Sequence, residues 1–314
     1  MAEHDDNLGK PEPNPFLAPA DVPEIPTVVS PEIIPPKPKK PRVWTAILVP
    51  FIAIAGSVVT ATIVLIAGIF ALGITMDPYN MDGVLQQVFE HPLGIWLVVL
   101  PGQLSFLAAG VLAAMLSPVP TGWRLRLGMG KLPVWTWIVF LVATPIVGVS
   151  TTLVINALDI EPSEQLKMLE GLMTASTGMG FVVLVFLVAV VPGFVEELLF
   201  RGYMQSRLLQ RWHPLAAILL SALVFAVAHV DPLHVCAVFP LGIWMGVVAY
   251  RAQSIWPAIL CHFGNNLLSV IANQFEYDSL ELGAPEMAIM AVSSLAMLVS
   301  LVLIFRKSSK ASSE

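Results

Sequence analysis

The sequence predicts an all-α, polytopic membrane protein with about eight transmembrane helices. Three observations carry this. Hydrophobic residues make up 56% of the chain and charged residues only 12%, with a mean hydropathy of +0.79, far from the composition of a soluble globule. Apolar runs recur at lengths that cross a bilayer core, and 314 residues hold about eight helices of roughly 20 residues plus short connections. Basic residues gather in alternate connections.

Residues 1–42 are rich in proline and acidic side chains and end in Lys37-Pro38-Lys39-Lys40-Pro41-Arg42. Such a segment cannot bury a core and reads as a disordered cytoplasmic arm. The first apolar run begins near Val43, too long and too deep in the chain for a signal-peptide core, so it reads as an uncleaved anchor. A transmembrane domain is expected over 43–305, with spans at 43–74, 93–117, 133–157, 177–199, 214–230, 233–250, 254–272 and 287–305, followed by a cytoplasmic tail at 306–314. Lys37 to Arg42, then Arg124, Arg126 and Lys131, then Arg201, Arg207 and Arg211, then Arg251, then Arg306, Lys307 and Lys310 all fall on one side if every span crosses. The positive-inside rule makes that side the cytoplasm, with both termini there, in what we expect to be a bacterial inner (plasma) membrane. The formal charge of −6 says less about partners than this placement does.

Several function classes fall away. There is no Walker motif, dinucleotide fingerprint or basic, aromatic-rich surface, so no nucleic-acid partner is expected. Cys236 and Cys261 lie in apolar stretches and read as packing residues. Gly242 and Gly246 form a small-xxx-small pair for close helix approach. Intramembrane charges also mark ion paths, but no inverted repeat is evident to support a transporter.

The chemistry concentrates in a motif-bearing core at 177–272. Glu196-Glu197-Leu198-Leu199-Phe200-Arg201 sets two carboxylates and a guanidinium in a greasy helix, and ionisable groups at membrane depth are costly enough to mark a functional site. Glu196 and Glu197 point about 100° apart on a helix and so serve different tasks. Arg201 stands at ion-pair spacing from Glu197; the bland alternative is a charge cluster snorkelling to the interface. Phe225 precedes His229, and His262 precedes Asn266, at the same i,i+4 spacing. His229 raises a question of depth, because a helix starting at Pro214 would carry it toward the far surface unless Asp231-Pro232 turns the chain inside the protein. Asp231, Pro232 and His234 read as a turn or as cavity lining.

A carboxylate with one or two imidazoles can deprotonate water for attack on a peptide carbonyl, while a second histidine and an asparagine amide stabilise the oxyanion. The same side chains offer a zinc set, Glu196, His229 and His262, although no HExxH is present. Serine or cysteine nucleophiles are weaker readings: Ser221 lies eight residues before His229, and Cys261 adjoins His262.

Glu196-Glu197-x-x-x-Arg201, Phe225-x-x-x-His229 and His262-x-x-x-Asn266, in that order on apolar helices, resemble the CPBP family of CAAX-protease and bacteriocin-processing (Abi) intramembrane endopeptidases. The resemblance implies an all-helical core with a catalytic cavity open to the cytosol. Glu196 and His229 would activate water, and His262 and Asn266 would form the oxyanion hole, with Glu197, Arg201 and Phe225 in support. It implies hydrolysis of membrane-associated protein or peptide substrates, including prenylated ones, by a glutamate-type mechanism without a cofactor, zinc being the lesser alternative. The resemblance does not carry substrate identity. The competing reading is a noncatalytic membrane adaptor or immunity protein on the same scaffold.

Overall fold

The computed structural model describes residues 42–117, 119–157, 163–274 and 284–305, and every regular element among them is helical. In order these are α1 (Val43–Ala71), α2 (Met81–Glu90), α3 (Gly94–Met115), α4 (Thr121–Arg124), α5 (Trp135–Ala157), α6 (Glu164–Ala175), α7 (Gly178–Leu208), α8 (Pro214–Val227), α9 (Pro232–Ala252), α10 (Trp256–Gln274) and α11 (Ala284–Phe305). The arm expected over 1–42, Arg42 apart, and the tail at 306–314 lie outside the described residues.

Each of the eight expected spans contains a helix, but not all of these helices have the length and hydropathy of a membrane crossing. Among the described residues, six helices are long and apolar enough to cross a membrane: α1, α3, α5, α7, α9 and α11. Helix α8 has 14 residues, about 21 Å at the helical rise, against a hydrocarbon core of about 30 Å. Helix α10 has 19 residues but falls short in hydropathy because it carries His262, Asn265, Asn266 and Asn273. The fourth span was expected to end at 199. It runs on to Leu208 because the polar residues beyond it, Arg201, Gln205, Ser206 and Arg207, are buried. Two short helices in the acidic connections, α2 and α6, were not expected. Asn80 and Ser163 cap them by accepting from the N–H groups of Gly83 and Leu166, the ordinary use of such side chains at a helix start.

The protein is a multi-pass membrane protein whose centre is made by α7 and α9. Their most apolar windows are 33% and 39% buried, against 17% for α1 and α11, which therefore form the periphery. Helix α9 doubles back on α8: Gly242 faces Ala222 and Phe225, and Gly246 faces Ile218. A Cβ at Gly242 would sit 3.1 Å from the Phe225 ring and 3.2 Å from the Ala222 methyl, so glycine is what lets these backbones approach. Helix α9 runs parallel to α7, and the two are joined by polar ties. Arg201 donates to the Gly242 carbonyl and Gln205 to the Gly246 carbonyl, each at 2.8 Å.

Helix α7 is not a plain α-helix. It widens into π geometry at Phe186–Val190 and again at Leu198–Gln205. Wide turns loosen the i→i+4 ladder, and in each segment a carbonyl accepts from a neighbouring helix. Asn266 Nδ2 donates to the Val188 oxygen at 3.0 Å, and Ser221 Oγ donates to the Phe200 oxygen at 3.0 Å.

Between α8 and α9 the chain reverses through Val230, which is 72% exposed and lies in the left-handed region, φ 64°, a conformation rare for a β-branched residue. Asp231 then caps α9 by accepting from the His234 N–H at 2.8 Å. That bond holds the Asp231 carboxyl below its usual range.

On the side where α7 ends, the loop after α4 is stitched to the loop between α9 and α10. The Lys131 N–H donates to the Ala252 carbonyl at 2.9 Å, Ser254 Oγ to Gly128 at 2.6 Å and Trp256 Nε1 to Leu127 at 2.7 Å. Gly130, at φ 79°, lies so close to the Ala252 carbonyl that no Cβ fits there.

Candidate active site

Glu196 and Glu197 end the α-helical stretch between the two π segments, and both are buried, at 6% and 0% exposure. As their 100° separation predicts, they meet different partners. Glu197 accepts from Arg201 Nη1 at 2.7 Å and from His262 Nδ1 at 3.0 Å, both on Oε1. Arg201, itself 1% exposed, is therefore held by the Glu197 carboxylate, by the Gly242 carbonyl and by the face of Phe225, whose ring centroid lies 4.4 Å from the guanidinium carbon. A buried charge needs such pairing. The snorkelling alternative is excluded, since this guanidinium points into the bundle.

Glu196 has a looser environment. Its Oε1 accepts from Gln103 Nε2 on α3 at 2.8 Å. Its Oε2 is buried without a hydrogen-bond partner among the described residues and lies 3.9 Å from His262 Nε2. One imidazole thus spans the two carboxylates. With Nδ1 donating to the Glu197 carboxylate, the ring is turned so that its Nε2 edge faces Glu196, the orientation being set by the far-side partner.

The remaining sequence candidates gather around Phe225. This ring stands edge-on to His229 at 5.1 Å, to His262 at 5.7 Å and to Phe200 at 5.3 Å, so it packs against both histidines where spacing alone linked it to one. His229 donates from Nδ1 to the Phe225 carbonyl at 3.1 Å, which leaves its Nε2 as an acceptor. It also packs against His234, centroids 4.6 Å apart. Within 4 Å the imidazole facing Glu196 is that of His262 and not that of His229. Asn266 uses one amide hydrogen on Val188, and its Oδ1 stands 3.4 Å from the Asn265 amide nitrogen. His262 and Asn266 therefore do not converge on one protein atom.

The zinc set Glu196, His229 and His262 is not assembled: among the described residues no three His, Cys, Asp or Glu side chains converge to hold a metal ion. Ser221 has its hydroxyl committed to Phe200, and Cys261 is buried beside His262. Gln103 is the site residue that sequence reasoning missed. A lone carboxamide after Pro101-Gly102 in an apolar span was a legible signal, since uncharged polar groups at membrane depth also need partners.

Fold and site together define a multi-pass membrane protein with a carboxylate–imidazole cluster buried among its helices. Residues 178–268 match the family model described as Rce1-like, Type II CAAX prenyl endopeptidase Rce1-like. The chain thus carries a CPBP/Rce1-like CAAX protease family domain over these residues, which contain Glu196, Arg201, Phe225, His229, His262 and Asn266. No curated protein and no solved structure matches the chain.

Proposed function

We propose that the protein is an intramembrane endopeptidase that hydrolyses peptide bonds of membrane-associated substrates, prenylated proteins among them, with water activated by Glu196. The observation that carries this reading is the asymmetry of the Glu196 carboxylate: one oxygen is bonded to Gln103 and the other, unpartnered, faces His262 Nε2 at 3.9 Å. A water lying off that line reaches both groups. Glu196 takes its proton, the hydroxide adds to the carbonyl carbon, and the C–N bond breaks as Glu196 returns the proton to the leaving nitrogen. His262, protonated on Nε2, and the second amide hydrogen of Asn266 donate to the oxyanion. Glu197 orients the His262 ring, and His229 offers its free Nε2 to the same water. The bilayer is the working environment. The cytoplasm, in a bacterial inner membrane, is the side to which we assign the termini and the open cavity.

Cleavage of farnesylated C-terminal peptides by the purified, detergent-solubilised protein tests this. Glu196→Gln and His229→Ala should elute as folded protein and lose cleavage by about two orders of magnitude or more, and a chelator should leave the wild type unaffected. Full activity in both variants would refute the assignment, and chelator loss restored by zinc would replace the glutamate mechanism with a metal one.

A further inference from the structure

We propose that Gln103, on α3 and outside the matched segment 178–268, is a positioning residue for Glu196. The proposal rests on the reading of Glu196 as the water-activating carboxylate. Gln103 Nε2 donates to Glu196 Oε1 at 2.8 Å, whereas Gln103 Oε1 is buried and bonded to nothing among the described residues. Gln205 likewise ties two helices through Nε2 with its Oε1 buried and unpaired, so what sets Gln103 apart is the group that accepts its hydrogen bond. Here the side chain's one hydrogen bond goes to the reacting carboxylate.

Two consequences follow from the donor chemistry. A carboxamide nitrogen can only donate, so an ionised Glu196 is met by Nε2; turning the amide over would set Gln103 Oε1 against a carboxylate oxygen and repel it. Gln103 therefore favours the charged form, the form that can accept a proton from water. The bond also fixes which oxygen is free. With Oε1 engaged, it is Oε2 that faces His262. Neighbouring polar side chains on α3 do not share this task, since Ser105 bonds to Thr60 and to the Pro101 carbonyl.

Gln103→Met keeps the length and removes the donor; Gln103→Glu keeps the shape and sets a second carboxyl against the first. Ser105→Ala is the matched control on the same helix. In the farnesylated-peptide assay, both Gln103 variants should lose kcat by about 10- to 100-fold with KM within a few-fold, and the acid limb of the Gln103→Met profile should move to higher pH. Ser105→Ala should behave as wild type. A Gln103→Met enzyme with wild-type kcat and an unmoved acid limb would overturn the proposal, while an active Glu196→Gln enzyme would instead overturn the reading it rests on. Infrared titration of the carboxyl band, assigned by its loss in Glu196→Gln, reads the contact without turnover. The protonated fraction of Glu196 at a fixed pH should rise in Gln103→Met, and equal fractions in wild type and variant would also sink it.

Discussion

Arg201 carries a full charge at 1% exposure and owes its tolerance to Glu197, the Gly242 carbonyl and the Phe225 ring. Removing it by Arg201→Ala leaves Glu197 charged and buried, which should cost about 3–5 kcal/mol. Adding Glu197→Gln to that variant removes the orphaned charge, so the double variant should unfold at a higher temperature than Arg201→Ala alone. Thermal unfolding in one detergent reads both, and a double variant no more stable than the single would contradict the pairing. The Glu197–Arg201 pair was legible from spacing because both residues sit on one element. The bridge from His262 to both carboxylates was not, because it joins helices whose azimuths no local pattern sets. For Gln103 the lone carboxamide was legible but its partner, 93 positions away, was not.

At the scale of the element, α8 and α9 form a hairpin whose spacing is set by Gly242. Gly242→Ala brings a methyl to 3.1 Å from the Phe225 ring and 3.2 Å from Ala222, so something must yield, at a cost of about 1 kcal/mol or more. Because Phe225 also touches His229, His262 and Arg201, its displacement should lower peptide cleavage in a variant that still folds; unchanged unfolding and unchanged cleavage would deny the coupling. The glycine pair was readable as a packing signal from its spacing alone. The true end of α7 was not, since Arg201, Gln205 and Arg207 look like loop residues until their burial partners are known. The brevity of α8 was hidden in turn by the unbroken apolar character of 214–230.

Across the whole molecule, the loop after α4 and the loop between α9 and α10 share four hydrogen bonds: Lys131 to Ala252, Ser254 to Gly128, Trp256 to Leu127 and Ile255 to Arg126. They must lie on one side of the membrane. With Cys236 and Cys261 replaced by alanine, a single cysteine at Gly128 and one at Gln253 should react with an impermeant maleimide from the same face of sealed vesicles, and labelling from opposite faces would break this topology. The membrane class was legible because composition and apolar run length are global properties of the chain. The unevenness of the spans was not, since α8, with 14 residues, and α10, which carries His262, Asn265, Asn266 and Asn273, both look like full spans in a hydropathy trace. The two widened stretches of α7 bear on how this chain compares with others. Each π turn accommodates about one residue more than an α turn, and one residue is about 100° of rotation. Residues before Phe186 are therefore turned by roughly 200° relative to those after Gln205 from where an uninterrupted α-helix would set them. A chain that kept the same two faces with an ordinary helix would align to this one through single-residue gaps near 186–190 and 198–205, and an ungapped alignment would pair lipid-facing positions with buried ones.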